Sequence, residues 1–124
     1  MSAPEAKANV LQKRVVSFAS EIIQLSAKLP KTPQGSHLSK QLLRSGTAAA
    51  ANYGEARGAE SRADFIHKLR TALKEMNETA IWLQIIVETS LISRENAGAV
   101  MRENEELCRI IAASIKTAGG FDRP

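Results

Sequence analysis

The sequence predicts an all-α protein, an antiparallel up-down-up-down four-helix bundle. Three observations carry this expectation. Proline occurs only at positions 4, 30, 33 and 124, which leaves long stretches free of the strongest helix breaker. Within those stretches apolar residues recur in alternating steps of four and three, the seam of a packed helix. The breaks between the periodic segments are short, and short connections place consecutive helices side by side in opposite directions. At 124 residues one domain, 1–124, is expected, with roughly two thirds of the unfolded surface buried.

The first helix is expected over about 5–29. Leu11, Val15, Phe18, Ile22, Leu25 and Leu29 form its seam, and Val16 and Ile23 widen the stripe. Pro30, Pro33 and Gly35 end it. The second helix is expected over about 37–57, with Ser36 or Ser39 as N-cap and Leu38 and Leu42 on its apolar face. Gly58 and the polar run after it break the chain.

The third helix is expected over about 61–91, roughly 45 Å at 1.5 Å per residue. Ser61 with Asp64 resembles a capping box. Ile66, Leu69, Leu73, Met76, Ala80, Leu83 and Val87 form one row, and Phe65, Ala72, Thr79 and Ile86 form a second. The fourth helix is expected over about 94–118, opened by Ser93 with Glu95 in its first turn. Its seam reads Ala97, Met101, Asn104, Cys108, Ile111 and Ile115, and Gly119-Gly120 ends it.

Two features exceed what one bundle needs. Residues 80–92, AIWLQIIVETSLI, are apolar on nearly every side. In a lone bundle Ile81, Trp82 and Ile85 would partly face water, and such a patch marks an interface. The alternative is that helices two and four cover them. Residues 41–58, QLLRSGTAAAANYGEARG, hold the smallest side chains of the chain. Gly46, Ala50, Gly54 and Gly58 recur at fours, a ridge without side chains that a neighbouring backbone or Trp82 can approach. Each helical glycine costs up to about 1 kcal/mol against alanine, so a compensating close contact is expected. Gly46, Ala50, Gly54, Ile81, Trp82 and Ile85 are therefore expected at an oligomer interface. No Gly-Lys-Ser/Thr follows a strand here, so the glycines are not a phosphate loop.

The net charge of +4 is unevenly spread. Residues 1–74 carry twelve Lys/Arg and five Asp/Glu; residues 75–124 carry five and eight. Lys40, Arg44, Arg57, Arg62, Lys68, Arg70 and Lys74 could form a basic belt for phosphate contacts, or simply a solvated surface. No aromatic residues interleave with them, so no base-stacking platform is indicated. Arg44, Asn52 and Glu55 lie near one helix face. They could form a polar cluster at a subunit contact or groove, or an internal network that fixes helix register.

Enzyme chemistry finds no support in these residues. Ferritin-like bundles use paired Glu-x-x-His motifs. This chain has one Asp64-x-x-His67, one Glu75-x-x-Glu78 and no Glu-x-x-His. His37 is expected to be exposed, Cys108 sits on a seam as inert packing, and neither histidine has a triad partner. No metal, cofactor or catalytic residue is expected. A single cysteine, no apolar run of 18 residues and no secretory h-region give the cytoplasm as expected location, with no membrane partner.

The stretch LLRSGTAAAANYGEARG with DFIHKLRTALKEMNETAIWLQ resembles the bacterial four-helix-bundle proteins related to the 23S rRNA intervening-sequence protein. That family shows an Arg-Ser pair, small residues and Asn-x-x-Glu-Gly, then Phe-x-x-x-Leu, a small residue and Glu before an aromatic-Leu pair. Here these are Arg44-Ser45, Asn52, Glu55, Phe65, Leu69, Ala72, Glu75, Glu78 and Trp82-Leu83. One departure is Ala56-Arg57-Gly58 after Glu55, where the family usually has Gly directly. The resemblance implies a homopentamer around a central channel and no known enzymatic activity. A related branch, the accessory variability proteins of diversity-generating retroelements, binds a reverse transcriptase and nucleic acid through a basic surface. The expected function is thus a non-enzymatic oligomeric binding protein engaging RNA, DNA or a nucleoprotein. The alternative is a protein–protein scaffold without a nucleic-acid role.

Overall fold

A computed structural model of the chain describes residues 1–120. They form four helices and no strand: α1 (Ala3–Ser26), α2 (Pro33–Arg57), α3 (Arg62–Glu88) and α4 (Arg94–Thr117). Each helix opens on a side-chain cap. The hydroxyls of Ser2, Thr32, Ser61 and Ser93 accept the backbone N–H of Glu5, Gly35, Asp64 and Asn96. Each bond satisfies one of the otherwise unpaired N–H groups at a helix start.

Three boundaries differ from the expectation by three residues or more, each for a local reason. α1 stops at Ser26 rather than 29. The residue before a proline is pushed out of the α region, and Leu29 precedes Pro30. The chain leaves the helix through short-range turns, Lys28 N–H to Leu25 and Leu29 N–H to Ser26. α2 starts at Pro33, with Thr32 as N-cap, instead of Ser36 or Ser39. Pro33 sits in the first turn, where a missing N–H does no harm. α3 ends at Glu88 rather than 91 because Ser90 adopts φ 58° and Leu91 N–H returns to the Ile86 carbonyl. That closure folds Leu91 back against the helix.

α1 and α2 meet with residues in opposite order. Ser26 and Tyr53 show this: the Ser26 carbonyl lies by Ser39, while Tyr53 Oη donates to the Ala8 carbonyl at 3.3 Å. α2 packs on α1 and α3, α3 on α4, and α4 on α1; no Cα of α1 comes within 8 Å of one in α3, nor any of α2 within 8 Å of α4. The helices thus stand at the corners of a square in chain order. The core between them is closed by Phe18, Ile22, Leu42, Leu69, Met76, Leu83, Ile86, Leu107, Ile111 and Ile115, all fully buried.

The seams shift in detail. On α4, Val100 and Leu107 join Ala97, Asn104, Ile111 and Ile115 inside, while Met101 and Cys108 are only half-buried. On α1, Val16 and Ile23 stand outside the core they were expected to widen. Among the described residues no helix is long and apolar enough to cross a membrane.

Candidate functional site

The α2–α3 contact gathers most of the residues singled out in the sequence. At its centre the hydroxyls of Ser45 and Thr79, both fully buried, share a hydrogen bond of 2.8 Å. One residue outward, Arg44 Nη1 meets Glu75 Oε2 at 3.0 Å, and its Nη2 pairs with Glu78. Glu78 also accepts from Trp82 Nε1 at 3.0 Å. The i, i+4 spacing of Glu78 and Trp82 and the i, i+3 spacing of Glu75 and Glu78 put all three on one side of α3. Trp82 is half-buried against the core, and the His37 ring meets it edge-on at 5.9 Å.

The polar cluster expected from the sequence is therefore split. Arg44, Glu75 and Glu78 come together. Asn52 instead donates to the Ala48 carbonyl of its own helix at 2.9 Å. Glu55 pairs with Lys68 at 2.8 Å, and that bond raises the ammonium's pKa above its ordinary value.

The basic residues divide as well. Arg44 and Lys68 are neutralised by these carboxylates. Arg57 donates to Gln12 of α1 at 2.7 Å, and Arg62 donates to the Ala118 carbonyl at 2.6 Å, a cation at the C-terminus of α4. Among the described residues Lys40, Arg70 and Lys74 have no hydrogen-bond or ion-pair partner, and all three are exposed. Arg70 and Lys74 are one turn apart on the outward face of α3, with exposed His67 one turn before Arg70.

The small-residue ridge is also divided. Gly46 is buried inside the chain, where an added Cβ would lie 2.8 Å from Ile22 Cγ2. It was expected at an oligomer interface and is instead consumed by the α1–α2 contact. The ridge drifts outward along α2, because a step of four residues exceeds one helical turn. Ala50 is half-buried, and Gly54 is exposed with nothing within 4 Å of where a Cβ would stand. Ile81 and Ile85 are exposed on α3, beside a shallow apolar hollow of about 500 Å³ that includes Pro30, His37, Leu38 and Leu91.

Among the described residues no group of three or more His, Cys, Asp or Glu side chains is placed to hold a metal ion. Cys108 Sγ points at Asn77 Oδ1 (3.6 Å) and Asn104 Oδ1 (3.5 Å), and burial pushes its thiol pKa up. A raised pKa opposes nucleophilic use of the thiol. Sequence reasoning missed the bond between α1 and α4, where Arg14 Nη2 reaches Glu103 at 2.6 Å and Glu106 at 3.3 Å. Nothing local signals a pair 89 residues apart.

A family model for the 23S rRNA-intervening sequence protein matches residues 7–113. The chain belongs to that family. The matched span includes all of α2 and α3, and so the whole Arg44–Glu75–Glu78–Trp82 cluster. A crystal structure from Bacteroides thetaiotaomicron agrees with this intervening-sequence family fold. It is described as a protein with unknown function from the S23 ribosomal protein family. It shares 40% identity and superposes with a TM-score of 0.81, covering 86% of this chain and 98% of its own. No curated protein matches significantly.

Proposed function

We propose that the protein is a non-enzymatic, cytoplasmic up-down-up-down bundle that assembles as a ring-shaped homo-oligomer and engages RNA through a basic surface. The observation that carries this reading is the open cationic stripe of Arg70 and Lys74 on α3, which no carboxylate of the described chain neutralises. Membership in a family named for an rRNA intervening sequence supports RNA over DNA. A homopentamer, as the family resemblance implies, would repeat the stripe around a ring. Phosphate contacts would then add across subunits and give salt-sensitive, sequence-independent binding. Arg44, Arg57, Arg62 and Lys68 serve mainly to hold helices together in this reading, and Lys40 extends the free surface along α2.

The test is binding of a generic structured RNA across a salt series, with wild type and an R70A/K74A variant. The variant should bind at least about tenfold more weakly, with a salt slope lowered by about 1 per lost contact. Equal binding by both proteins, or none by wild type at low salt, removes the nucleic-acid role.

A second reading, a protein–protein scaffold for a partner such as a reverse transcriptase, is favoured by exposed Ile81 and Ile85. Salt-insensitive capture of a polypeptide with no RNA binding would favour it.

A further inference from the structure

Five large aliphatic side chains stand in solvent on the helices; Val10 of α1 lies about a third of a turn away from the others of its helix, and four form two stripes. These four are Val16 (52% exposed) and Ile23 (49%) on α1, and Ile81 (53%) and Ile85 (37%) on α3. Val16 and Ile23 are seven residues apart, Ile81 and Ile85 four, so each pair lies along one helix face. Because α1 and α3 are not neighbouring helices, with no Cα pair within 8 Å, and both stripes face solvent, neither can cover the other within one chain.

The two faces differ in charge. Residues 75–92 hold three glutamates and no Lys or Arg. Arg44 offsets the Glu75–Glu78 end; Glu88, next to Ile85 along the stripe, has only the exposed Arg94 nearby at 3.8 Å. Beside Val16 the surface forms a shallow hollow of about 480 Å³, whose charged lining is Lys13 and Arg57 with no carboxylate. One face is thus apolar with an acidic end, and the other apolar with a basic end.

A head-to-tail contact requires two different, mutually complementary patches on one chain. We propose that the Ile81–Ile85 face of one copy docks on the Val16–Ile23 face of the next, with Glu88 toward the Lys13–Arg57 hollow. The inference rests on the homo-oligomer reading above and names its two faces. Face and counter-face lie on different sides of the square, so repeated docking has a direction and builds a ring or helix of copies rather than an isolated twofold dimer.

The test uses light scattering on the full chain and two variants, V16E and I85K, each checked by far-UV circular dichroism. Wild type should be a multiple of 13.4 kDa, and each variant should fall to 13.4 kDa with its helical signal intact. An equimolar mixture should give a species of about twice that mass, because each variant retains the half the other lacks. Variants that keep the wild-type mass, or a mixture that stays monomeric, overturn the assignment of these faces. A monomeric wild type overturns the oligomer reading itself, which separates the two failures. Should either variant lose helical signal, V16C/I85C on a C108S background decides. Oxidation should link copies into covalent ladders, and its failure to do so overturns the proposal.

Discussion

Arg44 Nη1 on α2 lies 3.0 Å from Glu75 Oε2 on α3, and the same guanidinium reaches Glu78 one turn further along. Glu75 is largely buried, with 13% of its side chain exposed. Arg44→Ala would leave that carboxylate without its cation and release Glu78 and Trp82. A loss of about 1–2 kcal/mol is expected in urea unfolding, below the value for a fully buried pair because Arg44 is half exposed. A double-mutant cycle of R44A with E75Q should return a coupling energy of about 0.5–1.5 kcal/mol. A cycle that sums to zero would show that the pair stabilises nothing.

Two glycines eight residues apart on α2 should respond in opposite directions. Gly46→Ala would drive a methyl to 2.8 Å from Ile22 Cγ2 and should destabilise by about 1–3 kcal/mol. Gly54→Ala meets nothing within 4 Å in its own chain and should stabilise the isolated fold by up to about 1 kcal/mol. Thermal melts of both variants, taken in the same buffer, check the contrast.

Asn104 is 1% exposed and its Nδ2 has no partner among the described residues. An unpaired buried amide costs about 1–3 kcal/mol. Asn104→Leu keeps the volume close and removes the polar group, so stability should rise by about 1–2 kcal/mol. A fall in stability would mean that the amide has a partner, such as a bound water, that holds it.

Burial raises the Cys108 thiol above its ordinary value of 9.0. Alkylation by a neutral reagent should therefore be slow at pH 8 and accelerate only above pH 9. The sign for stability follows. The folded state holds this proton more tightly, so the contribution is complete below the unfolded pKa and is lost as pH rises through the folded one. Replacing Cys108 by Ala should flatten stability against pH in that alkaline window.

The sequence by itself determined the helix count and most of the core, because both follow from local rules. The 4–3 period of Val15, Phe18, Ile22 and Leu25 needs only helical geometry to fall on one face, and these residues are buried. Ser61 and Ser93 were legible as caps because capping is a contact over three residues. The start of α2 was missed where Pro33 was read only as a breaker, although proline also suits a first turn.

What only the tertiary structure decided is which side of each stripe meets a neighbour. Sequence pattern places Val16 and Ile23 beside the α1 seam, but the directions of α2 and α4 leave them in water. It groups Arg44, Asn52 and Glu55, but packing joins Arg44 to Glu75 and Glu78, gives Glu55 to Lys68, and turns Asn52 onto its own helix. It offers seven cations as one belt, but four have partners on other helices or at a helix end, and Lys40, Arg70 and Lys74 remain free among the described residues. Pairing of charges depends on distances between helices, and a one-dimensional period carries no information about those.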